Sequence, residues 1–195
     1  MKRILLTLAL GLGLLTANAQ IEKLAGPRLG VTFISPGPIA DFLHDGFDFD
    51  GEDEQHGTTG PAITTLYGWQ WESRFADGGG QIVGIVEWIV LVGGMEKGMF
   101  LPSASSIIGA RMDNGLEFGV GPNLSLSGIG MVFGMGYNFK SGNLNLPINI
   151  SIIPGRKVDG EIHHHDDYYE NSWTEEYEYN TGTRIAITLG FNMSK

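Results

Sequence analysis

The stretch LNLPINISI at residues 144–152 alternates without a break. Leu144, Leu146, Ile148, Ile150 and Ile152 hold one parity, and Asn145, Pro147, Asn149 and Ser151 the other. Successive side chains of a strand point to opposite faces, so this segment reads as a two-faced strand. Its apolar face either lines a soluble core, leaving Asn and Ser in water, or faces lipid, with Asn and Ser turned inward.

The same pattern recurs along the chain. In 116–126 Leu116, Phe118, Val120, Pro122, Leu124 and Leu126 alternate with Glu, Gly, Asn and Ser. In 129–139 Ile129, Met131, Phe133, Met135, Tyr137 and Phe139 alternate mostly with Gly, and 184–193 repeats the scheme from Ile185 to Met193. Segments 62–75 and 81–92 fit with more noise, 28–34 is short, and 100–112 is the least regular. The expectation is an eight-stranded antiparallel up-and-down β-barrel that spans a membrane. Pro122 and Pro147 each remove a ladder donor and count against perfect regularity.

Turn chemistry gives an independent register. Asp113-Asn114-Gly115 as a three-residue loop pairs Met112 with Leu116, with Gly at the bulge position. Ser127-Gly128 as a two-residue loop pairs Leu126 with Ile129, and Ser141-Gly142 pairs Lys140 with Asn143. Each pairing matches faces, and a one-residue slip would flip every side chain.

The composition of the polar face decides between core and lipid. A soluble barrel would show water Lys, Glu and Thr; here the polar parity is Gly, Asn and Ser. Gly is the commonest residue, 30 of 195. Gly is a poor strand former with nothing to pack, and it suits the crowded interior of a narrow barrel. About ten residues per strand, at roughly 3.3 Å each and a tilt of about 40°, give an apolar band about 25 Å tall. Arg28, Glu72, Arg74, Glu87, Arg111, Glu117 and Arg184 all share the inward parity and are expected to form an interior ion-pair network. On a lipid face each Arg would cost about 2–4 kcal/mol near mid-membrane. Trp69, Trp71, Phe75, Phe118, Tyr137, Phe139 and Phe191 fall at one end of the apolar face as an interfacial girdle; Trp88 falls mid-strand, outside it.

The N-terminus sets the compartment. Met1, Lys2 and Arg3 precede the apolar run Ile4–Leu15, and Ala17-Asn18-Ala19 has the small-x-small form of a cleavage site. Residues 1–19 are therefore expected to be a cleaved export signal, and 20–195 one barrel domain. The chain has no Cys, which excludes disulfides, thiolate metal sites and a lipid-modified cysteine. A formal net charge of −10 argues against a nucleic-acid partner. With both termini periplasmic, 75–81, 113–115 and 140–143 become short periplasmic turns, and 35–61, 93–99, 127–128 and 154–183 extracellular loops.

The pattern resembles the small outer-membrane barrels of the OmpA/OmpX type. The run GLEFGVGPNLSLSGIGMVFGMGYNFKSGNLNLPINISIIP, with the ending TRIAITLGFNMSK, is similar to uncharacterised outer-membrane barrel proteins of Bacteroidetes. One departure is the C-terminus, where Asn-Met-Ser-Lys follows Phe191 in place of a terminal aromatic. The resemblance implies location and fold: a Gram-negative outer membrane, with its lipid, lipopolysaccharide and barrel-assembly machinery as partners.

Function is expected in the two long loops. Segments 35–61 and 154–183 together carry 15 of the 22 acidic residues and all five His. His163 and His165 at i, i+2, with Asp166 or Asp167 nearby, form a candidate divalent-cation site; the plainer reading is a solvated acidic surface bridged by cations. FDFDGEDE at 47–54 does not match an EF-hand. No cofactor is required. The expected function is a structural or surface-binding barrel with a closed, polar-filled interior, presenting these loops to an extracellular protein or glycan. The alternatives are a lipid-modifying enzyme, which would pair a His with Ser103, Ser105 or Ser106, and a soluble lipocalin-like barrel. A channel ranks below these, because eight strands leave no open pore.

Overall fold

In the computed structural model, which describes residues 23–45, 60–77, 81–166 and 171–194, the chain is built almost wholly from antiparallel strands. They are β1 (Lys23–Ile34), β2 (Ala62–Asp77), β3 (Ile82–Gly93), β4 (Leu101–Met112), β5 (Leu116–Ser125), β6 (Gly128–Ser141), β7 (Leu144–Ile153), β8 (Lys157–Asp166), β9 (Asn171–Asn180), β10 (Arg184–Gly190) and β11 (Asn192–Ser194). Each of β1 to β6 pairs with the next. β10 and β11 act as one eighth strand, pairing with β7 on one side and β1 on the other. The result is a closed, eight-stranded, up-and-down β-barrel.

The eighth strand is interrupted for a local reason. Its register against β1 is unchanged across the break, from Arg28↔Gly190 to Ala25↔Met193. That register carries Pro27 opposite Phe191, and the β7 register carries Pro147 opposite Gly190. A proline on each neighbour removes ladder donors at one level, leaving the bond from Phe191 N to the Pro27 carbonyl at 3.0 Å.

The turns refine the expected registers. The 113–115 loop is as read: the pairing Arg111↔Glu117 carries Met112 opposite Leu116, and Gly115 takes φ 93°, open to Gly at no steric cost. The next two tight turns are displaced by one residue. Ser125 pairs with Gly128, so Leu126-Ser127 is the loop, and Ser141 pairs with Leu144, so Gly142-Asn143 is the loop. In each case the pairing sum moves by two, every side chain keeps its face, and Gly128 and Gly142 still carry positive φ. β1 is longer than the expected 28–34, because Lys23 to Pro27 continue the ladder with β2.

The faces are those of an inverted protein. In β7 Ile148, Ile150 and Ile152 are exposed while Asn145 and Pro147 are buried. In β6 Met131, Phe133, Met135, Tyr137 and Phe139 point outward, and in β10 Ile185 and Ile187 do. The interior is too crowded for side chains in places: a Cβ on Gly121 would sit 1.8 Å from the Ser106 carbonyl oxygen.

Two elements at the loop end were not expected. A short helix, α1 (Pro38–Asp45), folds back from β1, with Pro38 at its first turn, where the missing N–H costs nothing. Its Ala40 and Leu43 bury against Ile34 and Ala62, with Met99 and Leu101 packed alongside. A 3-10 turn at Met95–Lys97 lies between β3 and β4, bounded by Gly94 and Gly98 in left-handed conformation. Finally, β8 and β9 form a separate two-stranded sheet, the hairpin that prolongs β7 and β10 beyond the barrel.

Candidate functional site

Inside the turn-end half, charged groups assemble around Arg111. Its Nη1 and Nη2 donate to the two oxygens of Glu72, 2.6 Å each, and its Nε donates to Glu117. β2, β4 and β5 supply these three residues, and all three are buried. The bidentate fork is the strong geometry for Arg with a carboxylate. Glu87 accepts from Gln70 Nε2, and Arg28 lies among these acids at 2% exposure. Of the seven charged residues sharing the inward parity, Arg28, Glu72, Glu87, Arg111 and Glu117 are buried, while Arg74 and Arg184 are half-buried. Arg184 stands apart from the acids; its Nη2 donates to Asn123 Oδ1 at 3.3 Å.

Sequence reading missed the neutral partners. Gln70, Asn123, Asn138, Asn145 and Asn192 are all buried, and Asn138 Nδ2 donates to Asn145 Oδ1 at 3.1 Å. Their inward parity was visible, but which distant residue each would meet was not. The expectation of a purely polar filling also needs correction. Ile89, Ile107 and Val132 face inward and pack together with Leu91 and Ile153. β3 contains Ile89-Val90-Leu91-Val92, apolar on both parities, so its inner face is apolar as well. Above the ion pairs this layer borders a cavity of about 110 Å³ that Arg28, Asn123 and Arg184 also line.

The loop-end mouth is held by hydrogen bonds. Glu96 receives bonds from the hydroxyls of Thr64 and Thr65 and from Thr65 N at 3.1 Å, and Thr64 Oγ1 accepts from Gly94 N at 2.7 Å. Desolvation alone would push the Glu96 carboxyl up; the hydrogen bonds from Thr64 and Thr65 outweigh it and bring it down to about 2. Lys97 Nζ donates to the Leu43 carbonyl at 2.9 Å, a cation at the C-terminal end of α1. His44 Nε2 lies 3.3 Å from the Pro61 carbonyl. At the hairpin root Thr183 N donates to Ser35 Oγ at 2.7 Å, and Gly155 N to Thr183 Oγ1 at 3.0 Å.

The metal candidates fall on the hairpin. His163 is registered opposite Thr174, His165 opposite Ser172 and Asp166 opposite Asn171, while Asp167 lies outside the described residues. The whole acidic run 47–54 and the expected signal at 1–19 also lie outside them. Among the described residues no group of three His, Asp or Glu side chains is close enough to hold a metal ion. The serines considered for an enzyme divide: Ser103 and Ser105 line the cavity, Ser105 Oγ accepting from Asn123 at 2.9 Å, while Ser106 pairs with Trp88.

The girdle aromatics are all exposed on the outer face, between 36% and 56%. Trp69 pairs with Pro27, to which Phe191 also bonds, and Leu116 with Tyr137, whose ring lies 4.7 Å from that of Phe139. Trp88, expected apart from them, is registered directly opposite Trp71 on the neighbouring strand. No model of a known protein family matches this chain, and no curated protein is similar enough to serve as a relative.

Proposed function

We propose that this protein is an integral outer-membrane β-barrel with a closed lumen, acting as a structural or surface-binding protein through the segments at its loop end. The observation that carries the reading is the outer face. Every barrel strand turns aliphatic and aromatic side chains outward, among them Phe33, Trp69, Val90, Ile108, Val120, Phe133, Ile150 and Ile187. Soluble monomers rarely expose contiguous apolar patches beyond a few hundred Å². A belt around a whole barrel, with Arg, Glu and Asn inside, has lipid as its natural solvent.

The same observation speaks against the soluble lipocalin-like alternative, whose faces would be reversed. Closure rests on the Arg111, Glu72 and Glu117 contacts inside the turn-end half, which favour a plug over a conducting pore. The acidic, His-containing segments then lie outside the cell, facing lipopolysaccharide, divalent cations and an extracellular protein or glycan. Expression with its own leader in a Gram-negative host tests the location. The proposal expects the protein in the outer-membrane fraction, running as a compact band on a denaturing gel unless boiled. Recovery from the soluble periplasm without detergent would overturn it.

A further inference from the structure

We propose that the loop-end half of the lumen binds a small monocarboxylate with an apolar body, its carboxylate on Arg184 beside Asn123 and its hydrocarbon against Ile89, Ile107 and Val132. The site lies inside the barrel, so it does not depend on what wets the outer face.

The first ground is a charge without a partner. The inward-facing Glu are engaged elsewhere: Glu72 and Glu117 hold Arg111, and Glu87, which with Glu117 reaches the cavity lining, accepts from Gln70. Among the described residues no carboxylate pairs with Arg184. Its Nε is buried without a hydrogen-bond partner, and its Nη2 meets the neutral Asn123. Arg28, 2% exposed, lines the same cavity but has Glu87, Glu117 and Glu72 around it to balance its charge, so Arg184 is the cation that an added anion would meet. Arginine does not deprotonate in proteins, so the half-buried Arg184, with no carboxylate paired to it among the described residues, is a place for an anion.

The second ground is the cavity. Its volume of about 110 Å³ is somewhat below the roughly 150 Å³ at which an apolar cavity takes up benzene, a ligand of six heavy atoms, which suits an acid of up to about four carbons. One wall is aliphatic, with Ile89 and Ile107 at 6% exposure and Val132 at 2%. The polar lining includes Thr32, Asn123, Ser151 and Arg184, with Glu87 and Glu117 beside Arg28. The lining thus combines an aliphatic cluster with a cation, the two features an amphiphilic acid needs. Asn123 is 2% exposed and held by Ser105, so the polar contact is fixed in advance.

The full chain, folded in a nonionic maltoside detergent, tests the site. Acetate, butyrate, hexanoate and octanoate would be titrated at fixed ionic strength, each beside its uncharged amide, with the melting temperature and binding heat as readouts. The expected result is a saturable rise for butyrate, none for its amide, and a weaker response or none for octanoate. Arg184→Gln should weaken binding by at least about tenfold, with partial recovery in Arg184→Lys. Ile107→Trp, which fills the cavity without touching an ion pair, should abolish binding while leaving the compact band. Equal effects of acid and amide, binding that survives Ile107→Trp, or no saturable shift with any acid in the series would overturn the proposal. If Arg184 variants fail to fold, the acid–amide comparison still decides.

Discussion

Replacing Glu72 by Gln should be the most damaging single change inside the barrel, and the contacts give its size. Arg111 spends two N–H groups on Glu72 and one on Glu117. Both carboxylates are almost fully buried, so neither is replaced by water when it is lost. Breaking a buried pair by removing one partner costs about 3–5 kcal/mol, because the other charge is stranded. The remaining bond to Glu117 places Glu72→Gln at the lower end of that range. Glu117→Gln leaves the bidentate fork intact and removes one charge-assisted bond, about 1.5–3 kcal/mol. The assay is reversible urea unfolding in vesicles, followed by Trp fluorescence. With slopes of about 1–3 kcal/mol/M, Glu72→Gln should lower the midpoint by about 1 M or more, and Glu117→Gln by less. Conductance in planar bilayers should stay unchanged in both. If Glu117→Gln is the more damaging, or both cost under about 0.5 kcal/mol, the network does not hold the barrel as described.

Other outcomes follow from the faces and the mouth. Ile148→Arg puts a charge on the outer band and should block assembly, at a cost of about 2–4 kcal/mol, whereas Asn149→Ser should be tolerated; the yield of compact band after refolding ranks them. The Glu96 carboxyl is lowered from about 4.5 to about 2 on folding, so its contribution is present above the unfolded value and lost as pH falls between the two. Over that window the wild-type melting temperature should fall more steeply than that of Glu96→Gln; parallel curves would refute the role of the Thr64 and Thr65 bonds. Divalent cations should raise the melting temperature through the acidic loops, and His163→Ala with His165→Ala should remove any preference for zinc or copper while leaving calcium effects unchanged. A melting temperature indifferent to chelator and to every ion would mean the loops bind no cation.

The barrel was legible because a strand's period is two. Parity survives small errors, and so the turn at Leu126-Ser127, displaced from the expected Ser127-Gly128, left Leu124 and Ile129 paired on the same outer face. Irregular 100–112 still formed β4, held in register by a neighbour on each side. Helix α1 was not legible, because eight residues make barely two turns and its folding depends on Ile34, Ala62 and Lys97 from elsewhere in the chain. The aliphatic inner layer escaped notice because Ile89 and Leu91 sit in a run that is apolar on both parities. Interior charges were recognisable by parity alone, but that Arg111 would take Glu72 and Glu117, leaving Arg184 to Asn123, depends on register summed across several strands.

The central claim is that the outer face of this barrel requires lipid, and folding residues 20–195 in the presence and absence of bilayers tests it most directly. Diluted from urea into short-chain phosphatidylcholine vesicles, it should gain strand circular dichroism, a compact unboiled band and a blue-shifted emission from Trp69, Trp71 and Trp88, which brominated acyl chains quench. In buffer without lipid or detergent it should aggregate. A monomer that folds in plain buffer, stays soluble and shows no quenching by brominated lipid would contradict the account.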